Sequence, residues 1–252
     1  MFPAGASQTR LFLTSDTPDT LLLMQELWDK NSRLPGLLNA RNPEHMDSRS
    51  YLYDPRTRKY YSPSGRQITD KQLRAAVKRM SNEASKRMKK EISQLIAGTI
   101  ILAVWYSRVR DLMKALYKTI WLLSIGGFLF DDDTQRNLFY LFILSQFDYF
   151  DNFVYQVESG EQVLDGFAVT RAGMYGRWGN AEWQDRELDL ARADGLNEAR
   201  RVLGPNENHC HDSNDRPGCL ELAEKGWMDI DLMVPIGEAT CYSNCLCYIE
   251  YR

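Results

Sequence analysis

Thr69-Asp70-Lys71-Gln72-Leu73-Arg74-Ala75-Ala76-Val77-Lys78-Arg79-Met80 is the stretch whose reading decides the fold. Thr69 with Gln72 three positions on is a capping box, in which each residue satisfies a backbone donor of the other. Val77, Met80, Ala84, Met88, Ile92, Leu95 and Ile96 then recur at the spacing of one helical face. Gly98 loosens this helix. A second runs from about Ile100 to Leu123, and Gly126-Gly127 ends it. Asp131-Asp132-Asp133-Thr134 stacks negative charge where a helix dipole favours it, and opens a third helix ending at Glu158. Leu138, Phe139, Leu141, Phe142, Leu144, Phe147, Phe150, Phe153 and Val154 make that helix apolar on most of its circumference, which predicts a place deep in a bundle. A fourth helix covers about Glu161–Ala193, where Gly173, Gly176 and Gly179 either weaken it or allow close helix contact. No strand pattern competes over 67–195, and the short connections predict antiparallel neighbours. Trp105, Tyr106, Trp121, Phe139, Phe142, Phe147, Tyr149 and Phe150 read as core packing.

Before this body, residues 1–66 read as an extended N-terminal arm with one short helix at Leu21–Trp28. Pro35-Gly36, Asn42-Pro43, Asp54-Pro55 and Ser62-Pro63-Ser64-Gly65 punctuate it with turns. The aromatic, basic run from Tyr51 to Tyr61 suits a hairpin or an arm that packs on another chain. After the body, Gly, Pro, Asn, Asp and Cys dominate. A helix is expected at Cys219–Lys225 and short strands at Asp229–Val234 and Cys247–Tyr251. The fold class is therefore mainly α: an antiparallel helical body over 67–200, a small Cys/His-rich C-terminal subdomain over 201–252, and the arm over 1–66.

All five cysteines fall in that last subdomain: Cys210, Cys219, Cys241, Cys245 and Cys247. The first residues lack a basic stretch and an export segment, so a reducing compartment is expected, where clustered thiols read as metal ligands more readily than as disulfides. A structural zinc ion takes four ligands in a closed tetrahedron. Cys210, Cys219, Cys241 and Cys245 supply them most simply, with Cys247, His209 and His211 as alternates. Eight, twenty-one, three and one residues separate successive cysteines, so there are no tight C-x-x-C knuckles. A disulfide pair and inert thiols stay open beside zinc.

Over 252 residues the hydrophobic and charged shares, 44% and 26%, exclude a mostly disordered chain. The net charge of −3 hides a bipolar distribution. Residues 71–90 hold eight cations, Lys71, Arg74, Lys78, Arg79, Lys86, Arg87, Lys89 and Lys90, against Glu83 alone. That segment reads as a solvated helix face, or as a contact for DNA or an acidic partner. Residues 181–252 hold seven cations against fifteen acids. The longest apolar runs, Leu95–Tyr106 and Thr119–Phe130, fall short of the ~20 residues of a membrane span, so no membrane partner is expected. Phosphate-loop, nucleophile-elbow, zincin and dinucleotide motifs are absent, and no enzyme activity is expected. The acids Asp131–Asp133 suit a helix start better than a Mg²⁺ site.

The run Glu198-Ala199-Arg200-Arg201-Val202-Leu203-Gly204-Pro205-Asn206-Glu207-Asn208-His209-Cys210, with Cys219–Trp227 after it, resembles the C-terminal part of tailed-phage minor head proteins, the Mu F-like or head-morphogenesis family. Pro235-Ile236-Gly237, Cys241 and Ser243–Arg252 are similar to that family's Cys-rich ending. Gly98-Thr99-Ile100, Trp105, Arg110, Leu116, Gly126-Gly127 and Arg171–Tyr175 resemble its helices. The family often has a second cysteine about two residues after the first; here His211–Gly218 displaces it to Cys219. The resemblance implies a non-enzymatic structural protein of the virion head, assembled in the host cytoplasm. It further implies contacts with portal and major capsid proteins, and packaged DNA as an added partner. The alternative is a zinc-stabilised DNA-binding module.

Overall fold

A computed structural model describes residues 52–54, 59–61, 65–125, 133–204, 209–242, 245 and 247–252. The helix expected at Leu21–Trp28, most of the N-terminal arm, Gly126-Gly127 and Asp131-Asp132 lie outside the described residues. The chain is mainly helical. Four long helices, α1 (Asp70–Ile96), α2 (Leu102–Ile125), α3 (Asp133–Glu158) and α4 (Gly166–Ala193), make the body. The capping box forms as the sequence predicts: the Gln72 amide donates to Thr69 Oγ1 at 3.2 Å, and the Thr69 amide donates to Gln72 Oε1 at 2.9 Å. The fourth helix starts at Gly166 rather than Glu161, because Asp165 caps it by accepting from the amides of Phe167 (2.9 Å) and Ala168 (3.1 Å).

Three glycines inside α4 serve close contact. A Cβ on Gly173 would meet Lys89 and Ser85, one on Gly176 would meet the Ser85 and Ala84 backbone, and one on Gly179 would meet Ser81. As α4 rises from 173 to 179 its partner positions on α1 fall from 89 to 81, so the two helices run antiparallel, backbone almost on backbone. The centre of the body is α2, in which every residue from Met113 to Ser124 is buried.

The sequence expectation for α3 is corrected. It lies on the outside, burying Phe139, Tyr140, Ile143, Phe147, Phe150 and Phe153, while Leu138, Leu141 (57% exposed), Leu144, Tyr149 (60%) and Tyr155 face outward. The buried row meets α2 and α4 through rings. Trp105 lies 5.4 Å from Phe150 and 5.6 Å from Phe153, and Phe150 lies 5.3 Å from Tyr175. Composition alone could not assign α3 its depth; the apolar residues on its outer face find no cover among the described residues.

Two small sheets flank the body. Ahead of α1, β1 (Leu52–Asp54), β2 (Lys59–Tyr61) and β3 (Gln67–Ile68) form an antiparallel sheet in that order, with Tyr53 opposite Tyr60 and Tyr60 opposite Ile68. The run read as hairpin or arm is thus a hairpin. Tyr60 is buried and its hydroxyl donates to the Leu123 carbonyl of α2. After α4, β4 (Glu198–Val202) is the middle strand between β5 (Met228–Asp229) and β6 (Tyr248–Tyr251), antiparallel to both. No alternation in the sequence predicts β4, and the end of the body gives way to it at once. A short helix α5 (Cys219–Glu224) and a 3-10 turn (Ile230–Leu232) complete this subdomain. No described helix is long and apolar enough to cross a membrane.

Candidate metal centre

The C-terminal sheet packs on α4 through a second core, in which Leu188 and Ala191 meet Ala199, Leu222, Ile230, Ile236 and Ile249. Cys219, Cys245 and Cys247 are buried in the same core, with Cys210 and Cys241 at its edge. Backbone geometry brings them there. Gly218 precedes α5 where a Cβ would lie 2.2 Å from the His211 carbonyl carbon, so only glycine lets the two loops touch. Its amide donates to Asp212 Oδ1, and the Leu220 amide donates to the Cys210 carbonyl at 3.3 Å. On the other side, Thr240 is tied to the Pro217 carbonyl through its amide at 3.1 Å, which holds Cys241 against Cys219. The Tyr242 carbonyl accepts from the Cys245 amide at 3.2 Å and turns Cys245 inward.

The result is a thiol cluster centred on Cys219. Its Sγ lies 3.6 Å from Cys241 Sγ and 3.5 Å from Cys245 Sγ, and its amide donates to Cys210 Sγ at 3.2 Å. Cys210, Cys219 and Cys241 form one group able to hold a metal ion, and Cys219, Cys245 and Cys247 another; within each, the sulfurs lie within 4.8 Å of one another. Cys247 Sγ is 3.6 Å from His209 Nδ1. His211 turns away: it is exposed and its Nδ1 pairs with Glu221 Oε1 at 2.9 Å, which holds that carboxyl below its usual range. All five cysteines are free, with no disulfide among them. A disulfide needs sulfurs about 2.05 Å apart. Two thiolates on one tetrahedral zinc, each about 2.3 Å from it, sit about 3.8 Å apart, close to the separations around Cys219. Hydrogen bonds from Cys219, Cys241 and Cys247 pull the Cys245 thiol down, whereas hydrogen bonds to Cys241 and Cys245 push Cys219 up. Metal binding requires these thiols to give up their protons.

The basic residues of α1 divide between two environments. Lys71, Arg79, Lys86 and Lys90 are exposed, and Lys78, Arg87 and Lys89 half-buried. Arg74 is drawn inward over the Tyr248 ring, 4.7 Å from its centroid, and Glu83 pairs with Arg87 at 3.6 Å.

One constellation escaped the sequence reading. A cavity of about 120 Å³ lies between α3, α4 and the 235–238 loop, lined by Phe142, Trp178, Glu182, Asp185 and Glu238 among others. Burial, reinforced by Asp185, pushes the Glu182 carboxyl up to about 8, and burial with Asp189 raises Asp185. Nearer the sheet, burial pushes Glu187 up to about 7. Glu182 and Asp185 share this cavity with the 235–238 loop, a proximity that their places on one helix do not reveal. No family model, curated protein or solved structure matches the chain.

Proposed function

We propose that this chain is a structural protein of a tailed-phage head, a minor head protein that works by contacts with portal or capsid chains and catalyses no reaction. We propose also that its thiol cluster is a structural zinc centre. The resemblance of residues 67–252 to the head-morphogenesis family motivates the first part. The observation that carries it is the outer face of α3, where Leu138, Leu141, Leu144, Tyr149 and Tyr155 stand exposed in a body already closed on the other side. Apolar rows of that kind are characteristic of surfaces that meet a partner. The cluster's part is to clip the C-terminal sheet to α4 in a subdomain too small to hold itself by core alone.

Co-expression with the portal and major capsid proteins of a tailed phage tests the reading. The native chain is expected to co-purify with one of them, and a Leu141→Glu, Tyr149→Glu double variant to fold but not to co-purify. Equal recovery of both, or a turnover activity that follows the Cys/His cluster, overturns it. The exposed cations of α1 favour a second reading, a zinc-stabilised DNA-binding module. It requires DNA affinity of the free protein that falls steeply with salt and with charge removal at Lys71, Lys86 and Lys90.

A further inference from the structure

The donor set of the cluster contains more ligands than one ion can use. One tetrahedral zinc takes four donors. Five thiols and the His209 imidazole lie together here, so a single ion bound by Cys210, Cys219, Cys241 and Cys245 leaves a buried thiol, Cys247, in contact with a ring nitrogen. The two metal-competent groups are not separate sites, for they share Cys219. Cys219 belongs to both groups, and Cys245, 3.5 Å from it, belongs to the Cys247 group and also faces Cys241; His209 reaches the cluster through Cys247.

We infer that the cluster holds two zinc ions bridged by the thiolates of Cys219 and Cys245. Cys210 and Cys241 complete the tetrahedron of the first ion, and Cys247 and His209 that of the second. This inference rests on the zinc reading above and deepens it. Six donors then fill eight coordination positions with none left over and no position open to water, as a structural site requires. Both bridging sulfurs belong to each tetrahedron, so they should stand about one tetrahedral edge, about 3.8 Å, apart. The Cys219 and Cys245 sulfurs are already near that spacing. Two divalent cations against five thiolates leave one negative charge, where one cation on four thiolates, with Cys247 a neutral thiol, leaves two. The smaller charge suits a cluster whose three central cysteines are buried. Loading releases one proton for each thiol that becomes a thiolate, and no oxidant or reductant is involved.

Metal content decides it. The full chain, purified under reducing conditions and saturated with zinc, is weighed by native mass spectrometry and analysed for metal. Two zinc ions per chain are expected, falling to one or none in a Cys247→Ser, His209→Ala double variant whose helical circular dichroism is unchanged. One zinc ion per chain in the native protein, with no loss in the double variant, overturns the two-ion cluster and leaves the single structural zinc. No zinc in fully reduced protein overturns both. Cadmium-113 resonance of the substituted native chain gives a reading free of mutation: two mutually coupled signals are expected, and one signal overturns the bridge.

Discussion

At neutral pH the Glu182 carboxyl keeps its proton, because burial beside Asp185 lifts its titration to about 8. The sign of the consequence follows from the unfolded chain, where an ordinary Glu ionises near pH 4.3. Below that, both states are protonated and the folded form keeps its full stability. As pH rises toward 8 the unfolded state ionises freely and the folded state does not, so stability falls across that window. Glu187, lifted to about 7, adds a loss of the same sign. Glu182→Gln should therefore raise stability above pH 8 by on the order of 5 kcal/mol. That corresponds to a large rise in Tm for a chain of this size. The gain should vanish toward pH 4.5. Thermal melts of the two proteins between pH 4.5 and 9 check it; a constant difference at all pH values would show that the carboxyl is not held neutral. Asp185, Asp189 and Glu238 share this neighbourhood, so the native melt should be broad in pH rather than a single titration step.

Helix α4 shows at the scale of an element why glycine spacing matters. An alanine at an interior helix position usually gains about 1 kcal/mol over glycine. At Gly176 its Cβ would lie 2.3 Å from the Ser85 amide nitrogen, backbone that cannot step aside, and overpacking of that kind costs about 1–3 kcal/mol. Gly176→Ala is expected to lower Tm, while Gly166→Ala, with nothing within 4 Å, should leave it equal or higher. Equal responses at both positions would refute the close seam. On α3, Leu141→Glu should change stability by less than about 0.5 kcal/mol, since the side chain stands outside the core; urea melts measure it. How far each element was legible follows from the range of its determinants. The Thr69–Gln72 box and the Asp133 start of α3 are local and could be read directly. The seam glycines could be read as a choice between weakness and contact, which only α1 resolves. The depth of α3 was misread because it depends on what lies opposite, and β4 was missed because Glu-Ala-Arg-Arg-Val has no alternation. Its inward Arg201 is accommodated by donating to the Val234 carbonyl from a loop far along the chain. The thiol cluster was legible as residue types. Its centre on Cys219 was not, because the Gly218–His211 approach that creates it leaves no sequence pattern.

The molecule as a whole joins a helical body that packs by its own apolar faces to a subdomain whose thiols cluster in its core, which the zinc ion proposed above would hold. Where metal binding and folding are one equilibrium, removing the ion unfolds what it holds. Chelation under reducing conditions should therefore raise amide hydrogen exchange first in β4, α5 and β6, leaving α1 and α2 protected. Cys219→Ser should reproduce that pattern without chelator. Simultaneous loss of protection in α2 would mean that the two parts are one cooperative unit. The body has its own long-range dependence. Gly176 meets Ser85, so a close backbone seam joins the first long helix to the last, with α2 and α3 between them in sequence. The α1–α2 and α2–α3 pairs can form from neighbouring chain. The α1–α4 seam must wait for a loop of about ninety residues to close, an entropy cost that grows with the logarithm of loop length, and folding slows as contacts become more distant in sequence. Refolding of the body, followed by stopped-flow circular dichroism, should accordingly be slower than its helical content suggests.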